Sequence, residues 1–480
     1  MTRLALGFAG LILSLLAPRL YATEQPHRLI VLTDIEADPD DTQSLVRLLL
    51  YANSIDIEAI IATTSVHQKD RVAPESIRRV INAYAKVQAN LLEHEPGFPA
   101  AQVLLDRVTQ GVPEYGMRGV GEGWNSSGSD RIIEILERDD ERPLWVSVWG
   151  GPNTLAQALF KIRNTKSAEE SSRLIGKLRV STISDQDDSA IWIRKEFPDL
   201  FYIVSPGRYE RSTWGAINSV IKGIDNATIS NAWLASQIQQ RHGPLGAEYP
   251  DVAWGLEGDT PAFLNLIPNG LNVPDRPDWG GWGGRYELYK PDPADIEVGG
   301  TVQGGVPIEV EPRPIWTNAV DTYSPRVVSE YGRATRPGER SFSDNRVTLW
   351  RWRDDFQNDF AARMDWCLSA YGEANHPPIP AIAHPQPLTV KSGEGFRLDA
   401  GGTSDPDGDN LSYAWIQYPE AGSAPLNIDI GIGPENVYQV FRVAPKVTKR
   451  ETLHFILRVT DKGNPPLSRY KRVIVTVDPI

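Results

Sequence analysis

Along the first half of the chain, short apolar runs alternate with stretches whose apolar residues recur every three or four positions. The runs RLIVLTD, IDIEAIIATTS, PLWVSVWGG, LRVSTIS and LFYIVS have the length and β-branched content of buried strands. Between them, TQSLVRLLLYAN, PESIRRVINAYAKVQANL, SGSDRIIEILER, NTLAQALFKIR and SAIWIRKEF carry the helical period. Strands alternating with helices predict βαβ units, that is, a mostly parallel sheet with helices on both faces. From about Glu257 to Tyr371 the pattern is less regular, with a Gly/Trp-rich loop, RPDWGGWGGRYELY, and a predicted amphipathic helix, VTLWRWRDDFQNDFAARMDWCLSAY. The stretch GEANHPPIPAIAHPQPL then reads as a proline-stiffened linker. Beyond it, short alternating strands between Asp, Gly and Pro turns predict an all-β, immunoglobulin-like sandwich of ~100 residues without the disulfide. The expected fold class is thus α/β followed by a small β-sandwich.

The opening MTRLALGFAGLILSLLAPRLYATEQP has a basic start, a short apolar core and a small residue at Ala22, the layout of a secretory signal peptide. Residues 1–22 are expected to be that signal, 23–375 the α/β domain and 376–480 the sandwich. A secreted or periplasmic protein follows, with no membrane span, since no later stretch is long and apolar enough. The formal charge of −13 argues against a nucleic-acid polymer or an anionic membrane as partner. The single cysteine, Cys367, lies in a helical stretch and reads as a buried, inert thiol.

Five acidic residues, Asp34, Glu36, Asp38, Asp40 and Asp41, fall in eight positions directly after the first strand. Ligands of open parallel sheets bind beyond the carboxyl ends of the strands, and clustered carboxylates there are hard oxygen donors suited to calcium. A solvated turn that caps the next helix is the plain alternative. Other strand ends tip the balance toward a site: Gly150-Gly151-Pro152-Asn153, then Asp185, Gln186, Asp187 and Asp188, then Glu257 and Asp259 before a Pro-started helix.

The fragments VLTD…DPDD…SL, GGPNTLAQAL and GDTPAF resemble the calcium-binding fragments of the nucleoside hydrolase superfamily. The fuller wording, with SDQDDS and WGGWGGRYE, is similar to a secreted bacterial branch described as nucleoside hydrolase-like and cellulose-binding, with an immunoglobulin-like C-terminal domain. The resemblance implies a Ca2+ ion held by Asp34, Asp41, the main-chain oxygen of Asn153, and Asp259. It implies that Asp40 activates the attacking water, and that Glu36, Asp185, Gln186 and Asp187 are substrate contacts. Aligning on the hydrophobic strand favours Asp34 over Glu36 as the ligand. Two departures stand out. The glycine of the acidic turn is replaced, and Gly258 stands where many relatives carry a histidine that protonates the leaving group.

His67, in TTSVHQKD, is a candidate substitute for that acid, against the plain reading of a structural histidine. Trp279 and Trp282, flanked by glycines, read equally as a sugar-stacking rim or as buried packing. Asp405, Asp407 and Asp409 in TSDPDGDNLSYAW do not complete an EF-hand loop, and read as a turn between strands. Two functions from different classes follow. One is an exported calcium-dependent hydrolase of an N- or O-glycosidic bond in a sugar-containing small molecule or polysaccharide. The other is a non-catalytic carbohydrate-binding protein, for a cellulose-like polysaccharide, that kept the pocket.

Overall fold

The protein is described by a computed structural model covering residues 25–209, 211–328, 335–337, 340–424 and 438–480; the expected signal peptide lies outside the described residues. Eight strands make the main sheet: β1 (His27–Thr33), β2 (Ile55–Ala62), β3 (Val108–Gln110), β4 (Leu144–Val148), β5 (Leu178–Thr182), β6 (Phe201–Val204), β7 (Tyr286–Tyr289) and β8 (Ile315–Asn318). Their spatial order is β3-β2-β1-β4-β5-β6-β8-β7, parallel except for β7 against β8. The apolar runs are continuous because both sheet faces are covered. Leu29 and Val31 join the core on one face, and Ile30 and Leu32 join the core on the other.

The helices expected between the strands are present: α1 (Asp40–Leu49), α2 (Pro74–Tyr84), α3 (Ser127–Glu137), α4 (Asn153–Thr165) and α5 (Ser189–Glu196). β1 is flanked by β2 on one side and β4 on the other, so the chain leaves it in opposite directions and opens a crevice at its carboxyl end. The fold class is therefore the one expected from the pattern. No helix among the described residues is long and apolar enough to cross a membrane.

The predicted amphipathic helix differs. It breaks after a first turn, Val347–Trp350, and its main part, α6 (Arg353–Asp365), is buried on nearly all sides. It lies between two bodies of protein, and its polar residues are used by both. Arg47 of α1 donates to the carbonyl of Phe356 (3.0 Å), Asp359 accepts from Tyr51 (2.7 Å), and Asp359 also pairs with Arg469 of the sandwich (2.6 Å). Cys367, just beyond α6, is buried, and burial pushes its thiol far above the usual range.

The sandwich contains β9 (Leu388–Lys391), β10 (Gly395–Asp399), β11 (Ser412–Gln417), β12 (Gln439–Val443), β13 (Glu451–Thr460) and β14 (Ser468–Asp478). Strands β9-β14-β13-β11 form one sheet and β10-β12 a second, closed over Phe396, Leu398, Trp415, Leu453, Phe455, Leu457, Val473 and Val475. The proline-rich segment before it is not a free spacer. Asn375 and His376 are buried, Ile379 and Ser404 exchange backbone hydrogen bonds (2.8 and 3.2 Å), and Ala383 donates to Asp399 (3.0 Å).

Trp279 and Trp282 belong to the seam between the two bodies. Trp282 is fully buried, edge-on to Phe356 of α6 and to Tyr470 of β14. Trp279 meets His454 edge-on at 4.8 Å and lies under the guanidinium of Arg276. The reading of these two as a sugar-stacking rim is thus corrected: their glycine neighbours permit close packing of backbone against the sandwich. Gly280, for instance, has φ +70°, and a Cβ there would meet the Tyr418 hydroxyl at 2.3 Å. Truncating Trp282 to alanine is expected to destabilise the protein by about 3–5 kcal/mol, as for a large buried aromatic. Denaturant unfolding checks this, and a change below about 0.5 kcal/mol, typical of surface positions, would contradict the seam.

Candidate functional site

The crevice at the end of β1 holds a cavity of about 370 Å³, lined by residues that follow several different strands. After β1 come Asp34 and, at the start of α1, Asp40 and Asp41, with Ala37 and Asp38 between. The loop after β2 brings His67. Trp149 follows β4, Ile183 and Gln186 follow β5, and Tyr209 and Trp214 follow β6. Trp254, Asp259 and Gln303 complete the wall.

Four of these carboxylates are almost wholly withdrawn from water: Asp34 (3% exposed), Asp40 (5%), Asp41 (2%) and Asp259 (1%). Local contacts fix their directions. The Thr33 hydroxyl donates to Asp41 Oδ1. The Asp40 amide donates to Asp38 Oδ1 (3.0 Å), so Asp38 serves the helix start as a cap-like acceptor. Gly150 is required beside Asp34, since a Cβ there would meet Asp34 Oδ1 at 2.7 Å.

Asp259 is delivered by a turn that is clamped to α1. Glu257 has φ +45°, and its fully buried carboxylate takes both Nε (2.5 Å) and Nη2 (2.9 Å) of Arg47. The same carboxylate accepts from Tyr249 (2.8 Å) and Thr260 (2.8 Å), and the Glu257 amide donates to Gln43 (2.9 Å). The charge of Glu257 is therefore matched by Arg47, whereas that of Asp259 is not.

Electrostatically the site is frustrated. Burial pushes the Asp34 carboxyl up to about 7, against the lowering effect of the Ser65 hydroxyl. Burial pushes Asp40, Asp41 and Asp259 well above the usual carboxylate range, and each is raised further by charges of the others. Asp259 Oδ2 is buried without a hydrogen-bond partner. Oxygen-only donors, convergent negative charge and an orphaned carboxylate oxygen fit a hard divalent cation such as Ca2+.

The expected site residues fall into two groups. Asp34, Asp40, Asp41, Asp259, Gln186 and His67 share the cavity. The others lie outside its lining. Glu36 turns away at φ +83° to pair with Arg71 (2.5 Å) and Ser76. Asp185 is held by Arg194 (2.7 Å), which also pairs with Glu311 (2.7 Å). Asn153 is buried, its amide donating to Thr64 (3.1 Å) and to the Glu114 carbonyl (2.8 Å). Asp187 is buried behind Gly151 and accepts from the Ser189 amide (2.8 Å). Burial raises its carboxyl to about 7. Asp185, Asp187, Asn153 and Glu36 thus shape the loops around the cavity.

An aromatic wall was absent from the expectation. Trp214 Nε1 donates to Asp40 Oδ2 (3.0 Å), Tyr209 packs on Trp214 at 5.6 Å between ring centres, and the Tyr209 hydroxyl meets His67 Nε2 (3.0 Å). Trp254, 77% exposed, stands at the mouth. The indole of Trp214 explains Gly258. A Cβ at that position would lie 1.8 Å from Trp214 Nε1 and 2.6 Å from Asp40 Oδ2. The sequence signal was the pair of glycines in WGLEGD, since Gly255 also makes room for that ring.

Two family models match the chain. Residues 28–286 match the cellulose-binding Sde182, nucleoside hydrolase-like domain, and residues 395–477 match the cellulose-binding protein Sde0182, C-terminal domain. Among solved structures, a nucleoside hydrolase-related hypothetical protein from Saccharophagus degradans, associated with carbohydrate metabolism, is 34% identical. The match covers 95% of this chain and 100% of that one, with a TM-score of 0.76. No curated protein matches.

Two predictions follow from the electrostatics. A carboxyl whose pKa is raised by folding stabilises the folded state below its unfolded pKa, about 4, and loses that contribution as pH rises through the folded value. For Asp34 that value is about 7. In excess chelator the thermal midpoint should therefore fall between about pH 5 and pH 8, and excess calcium should flatten or reverse the fall, because ligation needs the ionised form. A midpoint equally pH-insensitive in chelator and calcium would contradict this. Separately, Arg47→Met should cost about 3–5 kcal/mol by leaving Glu257 buried and unpaired, as urea unfolding would register.

Proposed function

The chain belongs to the Sde182 family of cellulose-binding, nucleoside hydrolase-like proteins, and from that premise we propose that it is an exported, calcium-dependent hydrolase of a glycosyl bond. The observation that carries this reading is the convergence of Asp34, Asp40, Asp41 and Asp259 in one water-poor cavity with an unpartnered oxygen on Asp259. Asp34, Asp41 and Asp259 would hold the ion. Bound there, calcium would offset part of the carboxylate charge and engage neighbouring sugar hydroxyls.

The residues of the chain then divide the work. The Trp214 N–H occupies Asp40 Oδ2 and fixes the plane of that carboxylate, leaving Oδ1 to take a proton from water. Attack at the anomeric carbon develops positive charge on the sugar, which the surrounding carboxylates stabilise. The leaving group departs toward the aromatic side, where His67 and Tyr209 stand. Burial lowers the pKa of His67, so near neutral pH it offers a hydrogen bond rather than an acidic proton. Substrates with good leaving groups suit such a site.

Trp214 also supports a second reading, in which the pocket binds carbohydrate without cleaving it. The indole fills the space beside Gly258 and engages Asp40, while the exposed face of Trp254 offers a stacking surface for a sugar ring. The cavity is concave, so it favours a chain end or a small glycoside over a flat polysaccharide face. In either reading, export rests on the signal-like residues 1–22.

Turnover across ribonucleosides and aryl glycosides, in calcium and in chelator, is the deciding measurement. The hydrolase reading expects calcium-dependent turnover that Asp40→Asn reduces at least about 100-fold, the scale of a lost general base, while calcium still binds. Absence of turnover from every substrate, with cello-oligosaccharide bound at the pocket, would replace it by the binding protein.

A further inference from the structure

Strands β7 and β8 are antiparallel neighbours, and Tyr289 at the end of one pairs with Ile315 at the start of the other. Two residues would suffice to join them. The chain instead uses residues 290–314, a connection of a length usually found where it serves a site. Its route is informative. β8 is parallel to β6, so Ile315 lies at the amino ends of the strands, away from the crevice. Yet Gln303 lines the cavity beyond the carboxyl ends. The connection therefore rises along the height of the sheet and returns, with Gln303 near its turning point.

This arm is a hairpin with a core of its own. Gly299 donates to the Ile308 carbonyl (3.1 Å) and Ile308 to that of Gly300 (3.0 Å), while Val302 donates to Val306 (2.8 Å) and Gly305 to Val302 (2.9 Å). Gly304 and Gly305 turn the chain at φ +95° and +103°. Behind the tip, Ile296, Val302, Val306 and Ile308 bury against Val66 in a cluster separate from the two cores of the sheet, and Tyr209 packs on it. The seat is close: a Cβ on Gly304 would meet Val66 Cγ2 at 2.8 Å and His67 Cε1 at 3.2 Å. Glu297 pairs with Arg208 (3.0 Å), and Arg211 donates to the Asp295 carbonyl (2.9 Å), so the arm is also tied to the segment around Tyr209. The tip thus stands on the His67–Tyr209 side of the cavity, toward which a leaving group departs.

What the tip brings there is one carboxamide. Gln303 is exposed, and among the described residues its side chain has no hydrogen-bond partner. Other polar groups of the wall are engaged within the protein: His67 Nε2 with the Tyr209 hydroxyl (3.0 Å), Asp40 Oδ2 with Trp214 (3.0 Å), and Gln186 Nε2 with the Trp149 carbonyl. An uncharged group that both donates and accepts matches a hydroxyl, which does the same. The carboxylates of the cavity disfavour an anionic ligand in the same space.

We propose that Gln303 is a specificity-determining contact, which hydrogen-bonds a hydroxyl of the leaving group and so selects a second sugar unit over a hydroxyl-free aglycone. The inference rests on the pocket at the end of β1 being the ligand site, whether or not a bond is cleaved there. Because the arm is held by its own core, the residue at 303 can be exchanged without disturbing the buried carboxylates.

Calorimetric titration of the full chain in calcium tests this, in an Asp40→Asn background so that no cleavage intervenes. The probes are cellobiose, phenyl glucoside and uridine, whose leaving groups are a sugar, a hydroxyl-free ring and a nucleobase. Gln303→Met, similar in size and at an exposed position, should raise the Kd of cellobiose about three- to tenfold, the scale of one lost hydrogen bond. The other two affinities should not move. Equal weakening of all three, or no weakening of cellobiose, would overturn the contact, as would a background chain that binds no cellobiose. A loss confined to uridine would assign the arm to a nucleobase and overturn the hydroxyl contact likewise. Turnover by the parent chain decides the hydrolase reading separately. Cleavage with Gln303-independent binding sinks only the contact, and Gln303-dependent binding without cleavage sinks only the hydrolase.

Discussion

Mutual repulsion among buried carboxylates is the constraint on which the site depends. Asp34, Asp40, Asp41 and Asp259 would each find a more comfortable state in water. They remain buried because rigid elements deliver them. The end of β1 fixes Asp34, and the first turn of α1 fixes Asp40 and Asp41 on adjacent positions. The Arg47–Glu257 pair locks the turn that carries Asp259 against the same helix. One ion pair thus balances a charge completely so that, two residues on, another charge can remain unbalanced.

The α6 helix shows how this frustration is contained. It meets α1 through Arg47 and Phe356, and meets the sandwich through Asp359 and Arg469. A helix buried on nearly all sides and polar at several positions would be a poor choice for an isolated core. Here polar side chains of the helix find partners on both bodies, so the helix joins the sandwich to α1, which carries Asp40 and Asp41. The buried tryptophans of the seam contribute the apolar part of the same joint.

Much of this was legible in the chain itself. The βαβ rhythm is visible because parallel strands buried on both faces are apolar without interruption, as in Leu29–Leu32. The acidic loop was visible because a helix start calls for one capping carboxylate, not five in eight positions. The aromatic wall was not, since Tyr209 and Trp214 follow the last regular βα unit and reach the cavity only through long-range packing. Trp279 and Trp282 stayed evenly balanced for a related reason: glycine-flanked aromatics look the same whether a ligand or another piece of protein comes close. That Glu36 and Asp185 would turn from the cavity was not legible either, because their partners, Arg71 and Arg194, lie outside the local motifs.

The contact between Gly258 and Trp214 has a consequence for how such a pocket can change. No side chain fits at 258 while the indole is in place, and removing the indole alone exposes an oxygen of Asp40 to whatever enters the cavity. Each single step is therefore unfavourable, and only the paired exchange leads from one arrangement to the other. The two positions are therefore coupled: a side chain at 258 and the indole of Trp214 claim the same volume, and only one of them can stand beside Asp40.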